Sequence, residues 1–256
     1  MRADRLPDVL AEDDAPTIVV AQAGEVNTGS CDDFHAIADA CEAAGAWLHV
    51  DGAFGLWAGA SDRLRHLVNG VDRADSWATD GHKWLNVPYD CGIAICADPA
   101  AHRRAMSASA AYLTQVDDAE GRDPMAYTPE FSRRARAVPV YAAIRRLGRT
   151  GVADLVERCC RYAQAFADGV AHLPGAEVLN DVVLNQALFR FADDATTREA
   201  LATVQAGGEA WMSGTTWDGR PAIRLSVSGW RTTEDDIERT VAAFSHALRG
   251  ELQVSD

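Results

Sequence analysis

The sequence lacks features that are typical of several large classes of protein. Its six cysteines show no CxxC spacing and no clustering with histidine, so neither a zinc site nor a redox motif is expected. No run of 18 apolar residues occurs, so no membrane-spanning helix is expected. The charged first segment contains Pro7, which argues against a signal peptide. Scattered cysteines without a leader favour a reducing, cytoplasmic location.

Positive charge is also scarce. The 256 residues include 24 Lys and Arg against 38 Asp and Glu, which gives a formal net charge of −14. We expect a chain with this balance to bind neither nucleic acid nor an anionic membrane. The composition, 48% hydrophobic and 24% charged, is that of a globular protein with room for one large domain or two small ones.

The first half of the chain alternates short apolar runs with amphipathic segments. Residues 17–21 and 47–50 read as buried strands, and the apolar spacing between them predicts a helix from about Asp32 to Gly45. Strand, helix and strand in about 35 residues form a βαβ unit, so the two strands should be parallel. The pattern continues with a helix, a strand and a further buried strand at 62–68, 75–79 and 92–96.

The second half follows a polar stretch at 107–131 and is organised differently. A helix over 132–147, disturbed near Pro139, leads to Gly148 and Gly151, where we place a domain boundary. Beyond it, strands, helices and an Asp218-Gly219 hairpin are expected at 152–173 (helix), 182–191 (strand), 196–206 (helix), 211–217 and 222–227 (hairpin strands). Thr233 is expected to cap a last helix that runs to Leu248. Helices beside an antiparallel sheet predict a small α+β domain.

Two strands of the first half end in residues of complementary chemistry. Asp51 follows the strand at 47–50, and Asp80-Gly81-His82-Lys83-Trp84 follows the strand at 75–79. Open α/β sheets bind ligands at the carboxyl ends of their strands. Pyridoxal phosphate (PLP) requires this pair of groups, an amine to hold it as a Schiff base and a carboxylate to keep its ring nitrogen protonated. Taken singly, Lys83 could be a surface lysine, Asp51 a helix cap and His82 a turn residue.

Together these segments resemble the PLP-dependent amino-acid decarboxylases, the family of the glutamate and aromatic amino-acid decarboxylases. The matching segments are 24–30, 47–53, 67–71 with 74–76, and 80–85. The resemblance implies an α/β, PLP-dependent transferase-like fold of the aspartate aminotransferase type. Residues 1–148 would form the C-terminal part of the PLP-binding large domain, with a mostly parallel sheet. Residues 149–256 would form the small α+β C-terminal domain.

The resemblance also implies roles for residues around the cofactor. Lys83 would hold PLP as a Schiff base, and Asp51 would pair with the ring nitrogen. Ala53 would lie against one face of the ring. His82 and Asp80 match positions near the cofactor phosphate, where the aspartate would orient neighbouring donors.

Three further residues are implicated by the same resemblance. Tyr112, in the polar stretch, matches a tyrosine that delivers a proton to the substrate carbon after carbon dioxide leaves. Arg224 matches a substrate-facing arginine, although a surface arginine on an edge strand would have the same sequence context. Many relatives have two hydroxyl residues where this chain has Glu25 and Val26. Asn27 and Thr28 are therefore the two candidates for the missing hydrogen bond to the cofactor, and Thr28 is taken as the cofactor-binding residue.

The activity implied by the resemblance is decarboxylation of an L-amino acid to an amine and carbon dioxide. Relatives have a long segment before the equivalent of Thr17, with a phosphate-cradling loop and a side chain stacked on the ring, and only sixteen residues precede Thr17 here. The chain thus resembles the C-terminal half of such an enzyme. We expect impaired activity for the chain alone, and either a homodimer or a complementing N-terminal half.

Two alternatives remain open. The first is another PLP enzyme of the same fold, an aminotransferase or a carbon–carbon lyase. The second is a non-catalytic fragment, or one half of a two-chain assembly. The identity of the amino-acid substrate is not readable from the sequence.

Overall fold

The computed structural model describes residues 1–107, 121 and 123–250. These residues form two four-stranded sheets with helices packed against them. The elements in chain order are α1 (Leu6–Leu10), β1 (Ile18–Gln22), α2 (Phe34–Ala44), β2 (Trp47–Asp51), β3 (Ser76–Asp80), β4 (Gly92–Cys96), α3 (Pro99–Met106), α4 (Ala137–Ala171), β5 (Glu177–Val178), β6 (Gln186–Arg190), α5 (Asp194–Gly207), β7 (Ser213–Trp217), β8 (Arg220–Ser226) and α6 (Glu234–Arg249). No helix within these described ranges is long and apolar enough to cross a membrane.

The first sheet has the order β1-β2-β3-β4 and contains the predicted βαβ unit. Strands β1, β2 and β3 are parallel, whereas β4 pairs with β3 in the antiparallel sense. Helix α2 begins where the Asp33 carboxylate accepts a hydrogen bond from the Ala36 N–H, and it ends at Gly45 in the left-handed conformation (φ 67°). The α/β fold class expected from the sequence is therefore confirmed for this half of the chain.

The predicted helix at 62–68 is wrong. The chain between β2 and β3 instead forms short 3₁₀ segments at Gly55–Ala60, Arg65–Val68 and Val71–Arg73. Ser61 and Asn69, which adopt extended conformations (ψ 131° and 133°), lie on either side of the predicted segment, and within it only Arg65–Val68 is helical. Apolar spacing over seven residues is too short to distinguish one α-helix from a series of tight turns.

The sheet is also less buried than its apolar runs predicted. Strand β4 is an edge strand in which Ile95 is 48% exposed. On β1, Ile18 and Val20 are 67% and 48% exposed, while the alternate residue Val19 is buried. Within the described residues, one face of β1 therefore remains open. A short apolar run indicates a strand, but it does not say how many faces of that strand are covered.

The second sheet has the order β5-β6-β8-β7 and is antiparallel throughout. Its β7–β8 hairpin turns at Asp218 and Gly219, both with positive φ (50° and 75°), as the Asp-Gly pair predicted. The predicted capping box is also present, because the Thr233 hydroxyl accepts from the Asp236 N–H and the Asp236 carboxylate accepts from the Thr233 N–H. Four packed aromatic rings fill the core beneath this sheet: Phe166, Phe189, Phe191 and Phe244.

Helix α4 joins the two halves. It begins at Ala137, which places Pro139 within its first turn, where a missing N–H costs no helical bond. Gly148 (φ 64°, ψ −179°) breaks it, so the segments before and after this glycine are separate helices that meet at a kink. Buried residues from both sheets belong to one continuous apolar cluster. The domain boundary near Gly148 stays a prediction.

Candidate active site

The carboxyl ends of β1, β2 and β3 lie side by side at one edge of the first sheet. In register, Gln22 lies beside Asp51, and Asp51 lies beside Ala78. Backbone hydrogen bonds continue past the strand ends, from Gly52 N–H to Ala78 O (2.9 Å) and from Asp80 N–H to Ala53 O (2.9 Å). The loop that carries Asp51 and the loop that carries Lys83 are thus neighbours.

Glycines allow the loops after β1 and β2 to approach each other closely. A Cβ atom on Gly55 would lie 2.1 Å from the carbonyl oxygen of Ala23, which no side chain can tolerate. Gly24 has a positive φ of 89°, and a Cβ there would lie 2.9 Å from the ring of Phe54. Gly24 and Gly55 therefore allow these two loops to pack closely against each other.

Lys83 lies in an acidic and aromatic setting. Its Nζ is 3.0 Å from Oδ2 of Asp80 and 5.7 Å from the centroid of the Phe54 ring. Nε2 of His82 lies 3.6 Å from the same carboxylate oxygen. The side chain of Lys83 is 36% exposed, so an arriving molecule can reach the amine. The structure thus brings together Asp80, His82 and Lys83 from the sequence prediction.

The backbone of the β3–β4 loop fixes the His82 ring. Its Nδ1 lies 3.1 Å from the Cys91 N and 3.0 Å from the Cys91 carbonyl oxygen. The ring of Tyr89 lies against it, with centroids 4.0 Å apart. Because Nδ1 is occupied by the backbone, Nε2 is the nitrogen that faces Asp80.

Asp51 is half-buried at the end of β2. Its Oδ1 accepts a hydrogen bond of 3.1 Å from the N–H of Ala53. Its second carboxylate oxygen has no hydrogen-bond partner among the described residues. Asp51 therefore offers a fixed carboxylate with one oxygen available for an N–H donor, beside the small side chain of Ala53.

Thr28 lies in the loop after β1, where its hydroxyl is already engaged. It donates to the Glu25 carboxylate at 3.0 Å and lies 2.9 Å from Oγ of Ser30. Glu25 also accepts from the backbone N–H groups of Asn27 and Thr28, both at 2.9 Å. This carboxylate organises its own loop, and no contact of Thr28 links it to Lys83.

Arg224 lies on β8, between β6 and β7, and so is not on an edge strand. Its Nη1 donates to the carbonyl oxygen of Val26 at 3.1 Å and thereby connects the second sheet to the loop after β1. Its Nε is buried and has no hydrogen-bond partner among the described residues. One buried guanidinium N–H is therefore unsatisfied within the described part of the chain. Tyr112 lies outside the described residues.

Two signals were missed by the sequence reasoning. Of the 24 basic residues, 23 are arginine, so Lys83 is the only lysine in the chain. When lysine and arginine are counted together as 24 residues, the presence of a single lysine among them is not visible. The second missed residue is Asn86, whose amide contacts the backbone of the lysine loop and that of the segment after β8. No sequence pattern marks it, because its contact lies 142 residues away.

A large cavity lies elsewhere. It has a volume of about 830 Å³ and is lined by α1 and α2 residues and by Thr17 and Ala46, at the opposite, amino-terminal edge of the strands. In the described part of the chain, no group of three or more His, Cys, Asp or Glu residues is arranged to hold a metal ion. The candidate site is thus the open edge around Lys83, chosen for its chemistry and not for its volume.

Comparison with known proteins extends this geometry to a family. The model of the pyridoxal-dependent decarboxylase conserved domain matches residues 1–192. L-2,4-diaminobutyrate decarboxylase from Rhizobium meliloti is 29% identical over 250 residues, covering 94% of this chain and 50% of that protein. The 3,4-dihydroxyphenylacetaldehyde synthase of Drosophila melanogaster is 28% identical over 245 residues, covering 93% of this chain and 48% of that protein.

A solved structure shares the fold. The crystal structure of Oryza sativa TDC with PLP and tryptamine superimposes with a TM-score of 0.91 at 23% identity, covering 99% of this chain and 55% of that one. The chain spans about half the length of the curated relatives it matches. The family model covers three quarters of the chain, and the matched part includes Asp51 and Lys83. The chain belongs to the pyridoxal-dependent decarboxylase family.

Proposed function

We propose that this chain carries the amine and the ring-side carboxylate of a PLP site that decarboxylates an L-amino acid to an amine and carbon dioxide. The observation that carries the proposal is the position of the only lysine, at the carboxyl edge of the sheet beside the Asp51 loop. Arginine can supply charge at most positions, but its guanidinium does not serve as an amine nucleophile. A chain with 23 arginines therefore has its one lysine where a primary amine is needed.

The residues present fit PLP at two of its ends. Lys83 provides a partly exposed side chain with an amine for the aldehyde, and Asp51 provides an unpaired carboxylate oxygen for the N–H of the ring. Ala53, next to that carboxylate, is small enough to leave space for a flat ring. At the phosphate end, His82 would donate from Nε2, and Asp80 would orient that donor.

The roles of these residues follow from their chemistry. Bound PLP supplies an electron sink for the electrons that remain when the carboxylate leaves. Asp51 would hold a proton on the ring nitrogen. Lys83 would bind the cofactor until the substrate amine takes its place. Arg224 would bind a substrate oxygen through its free Nε.

The position of the final proton decides the reaction type. A proton delivered to the α-carbon gives the amine, and we assign this delivery to Tyr112, with Lys83 as the other candidate donor. A proton delivered to the ring-side carbon after carbon dioxide has left would leave the amino group on the cofactor and give an aldehyde instead. The relatives are named for different substrates and products, so the proposal covers the substrate class only.

We further propose that a partner completes the site, either a second copy of the chain or a complementing N-terminal half. Support comes from β1, which pairs only with β2 among the described strands and exposes Ile18 and Val20 on its open face. A partner that covers this face could also supply contacts to the phosphate. A reducing, cytoplasmic setting is consistent with six free cysteines.

Trapping with borohydride tests the cofactor assignment. After incubation with PLP and reduction, peptide mapping should find the label on Lys83, and both Lys83→Ala and Lys83→Arg should lack it. The N-terminal amine is an internal control for non-specific reaction, because no other lysine is present. A label confined to the N-terminus would overturn the assignment. A panel of amino acids should then yield carbon dioxide and an amine, whereas a keto acid or an aldehyde would indicate a different reaction.

A further inference from the structure

The backbone turn that carries Lys83 is closed by the side chain of Asn86. The Asn86 amide nitrogen donates to the carbonyl oxygen of Trp84 at 2.8 Å, and the carbonyl oxygen of Lys83 itself lies 3.3 Å away. The backbone N–H of Asn86 also donates to that Lys83 oxygen at 3.2 Å. Hydrogen bonds thus stabilise the turn at the carbonyl groups of Lys83, which would bind the cofactor, and of Trp84.

The same amide reaches across to the second sheet. Its nitrogen donates to the carbonyl oxygen of Ser228 at 2.9 Å, and its oxygen lies 3.4 Å from the backbone N of Trp230. One planar group therefore contacts two chain segments with both its donor and its acceptor. Arg158 of α4 donates to the Trp230 carbonyl oxygen at 3.3 Å and holds the far segment from its other side.

The segment reached by Asn86 continues directly from the strand that bears Arg224. Only three residues separate Arg224 from Ser228, and one of them, Val227, is pinned by two hydrogen bonds to Asn185 (3.0 and 2.7 Å). The chain from Arg224 to Ser228 is thus held along its length. Asn86 consequently links the backbone of Lys83 to the strand of the proposed substrate arginine.

We propose that Asn86 is a positioning residue that holds the Lys83 amine in a fixed place relative to the second sheet. The proposal rests on the proposed function, because it concerns the reaction of Lys83 with PLP. The backbone at Asn86 has a positive φ of 51°, a conformation that asparagine accepts more readily than most residues. Asparagine thus meets the backbone requirement and supplies the bridging amide.

Three variants separate these contributions. Asn86→Gly accepts the backbone conformation but removes the amide. Asn86→Asp keeps the shape and the acceptor but loses both N–H donors. Asn69→Ala is the control, because Asn69 is an exposed asparagine whose side chain makes no hydrogen bond among the described residues.

The main readout compares two aldehydes that react with the same amine. Because Lys83 is the only lysine, its reductive alkylation can be followed by peptide mass spectrometry with either PLP or formaldehyde. We expect Asn86→Gly and Asn86→Asp to slow the reaction with PLP by about tenfold or more, since misplacement by an ångström is costly in an oriented reaction. The reaction with formaldehyde, which needs no orientation, should stay the same or become faster. Equal changes with both aldehydes, or no change, would overturn the proposal.

Hydrogen exchange of the backbone amides, without any cofactor, gives a second readout. Loss of the bridge should increase exchange both at 82–87 and at 227–230 in Asn86→Gly, but not in Asn69→Ala. If the parent chain fails to react with PLP at Lys83, the proposed function fails, and this exchange pattern alone decides the role of Asn86. Faster exchange in both segments would then support the link, and unchanged exchange in either one would refute it.

Discussion

The Nζ of Lys83 lies 3.0 Å from Oδ2 of Asp80, the last residue of β3. Both side chains are partly exposed, so the ion pair contributes little stability, about 0–1 kcal/mol. A weak, local pair of this kind can be displaced by an incoming ligand. The pair therefore holds the amine at the edge of the sheet but leaves it able to react with an incoming ligand.

Replacing Asp80 tests whether this carboxylate opposes cofactor binding. A phosphate dianion near Asp80 would be repelled, and the ion pair competes for the amine. We expect Asp80→Asn, whose amide oxygen can still orient the Nε2 of His82 but which lacks the negative charge, to lower the apparent Kd for PLP by about two- to tenfold, or up to about 1.4 kcal/mol. Absorbance titration measures this. Weaker binding by the variant would show that the charge of Asp80 helps to hold the cofactor.

Replacing Asp51 tests the proton on the ring nitrogen. Asn in this position can still accept a hydrogen bond, but it cannot stabilise a protonated ring. We expect Asp51→Asn to lower kcat by about 10²- to 10⁴-fold while Lys83 remains labelled by PLP and borohydride. The exposed Asp72→Asn variant is the control for loss of one negative charge. A kcat within a few-fold of the parent would refute the role of Asp51.

Arg224 is expected to act on the substrate and not on the cofactor. Arg224→Lys keeps the charge but loses the free Nε and the planar fork. Loss of a charged hydrogen bond of about 1.5–3 kcal/mol predicts a KM about 10- to 100-fold higher, with PLP affinity unchanged. Arg220→Lys, on the same strand but paired with Asp194 at 3.1 Å, is the matched control. An equal effect of both variants on KM would rule out a specific role.

The close approach of the β1 and β2 loops predicts a difference between two glycines of one 3₁₀ segment. A Cβ at Gly55 would collide with a backbone oxygen, whereas a Cβ at Gly59 would lie 3.6 Å from a side chain of Val68. Gly55→Ala should destabilise the protein by about 1–3 kcal/mol or more, and Gly59→Ala should remain within about 0.5 kcal/mol. Urea unfolding measures both values. Equal midpoints would mean that the loops are not in contact.

The capping box of α6 predicts an acid-dependent stability. The Asp236 carboxylate accepts hydrogen bonds from the backbone N–H of Thr233, which has the larger effect, and from the Thr233 hydroxyl. Both bonds lower the pKa of Asp236 below the ordinary value of about 3.9. Because the folded pKa is the lower one, this stabilisation is fully present above about pH 4. It is lost as the pH falls through the folded pKa.

Unfolding measured from pH 7 to pH 2 should show this for Asp236→Asn. The free energy of unfolding of this variant should fall furthest below that of the parent above about pH 4, and the difference should shrink at lower pH. Thr233→Ala should keep most of the pH dependence, because the larger cause is the backbone bond. A deficit that is constant with pH would contradict the assignment.

The parts of the fold that local chemistry controls could be predicted. The Thr233 cap, the Gly45 stop and the Asp218-Gly219 turn act over a few residues, and each appears as expected. The segment at 62–68 could not be predicted, because apolar spacing over seven residues does not distinguish an α-helix from the tight turns and the short 3₁₀ segment that form there. The exposure of Ile18 and Ile95 depends on which faces other elements cover, and a short apolar run carries no such information.

The sequence by itself determined the chemistry at the edge of the first sheet. Asp51, Asp80, His82 and Lys83 follow predicted strands, and parallel strands present their carboxyl ends on one side. Only the tertiary structure decided what surrounds them. In the folded chain, the Thr28 hydroxyl donates a hydrogen bond to Glu25, and the buried Nε of Arg224 has no partner among the described residues. The side chain of Asn86 connects the lysine turn to a segment 142 residues away. Side-chain hydrogen bonds between distant segments follow from how the two sheets pack, whereas strand order and turns follow from neighbours in the chain.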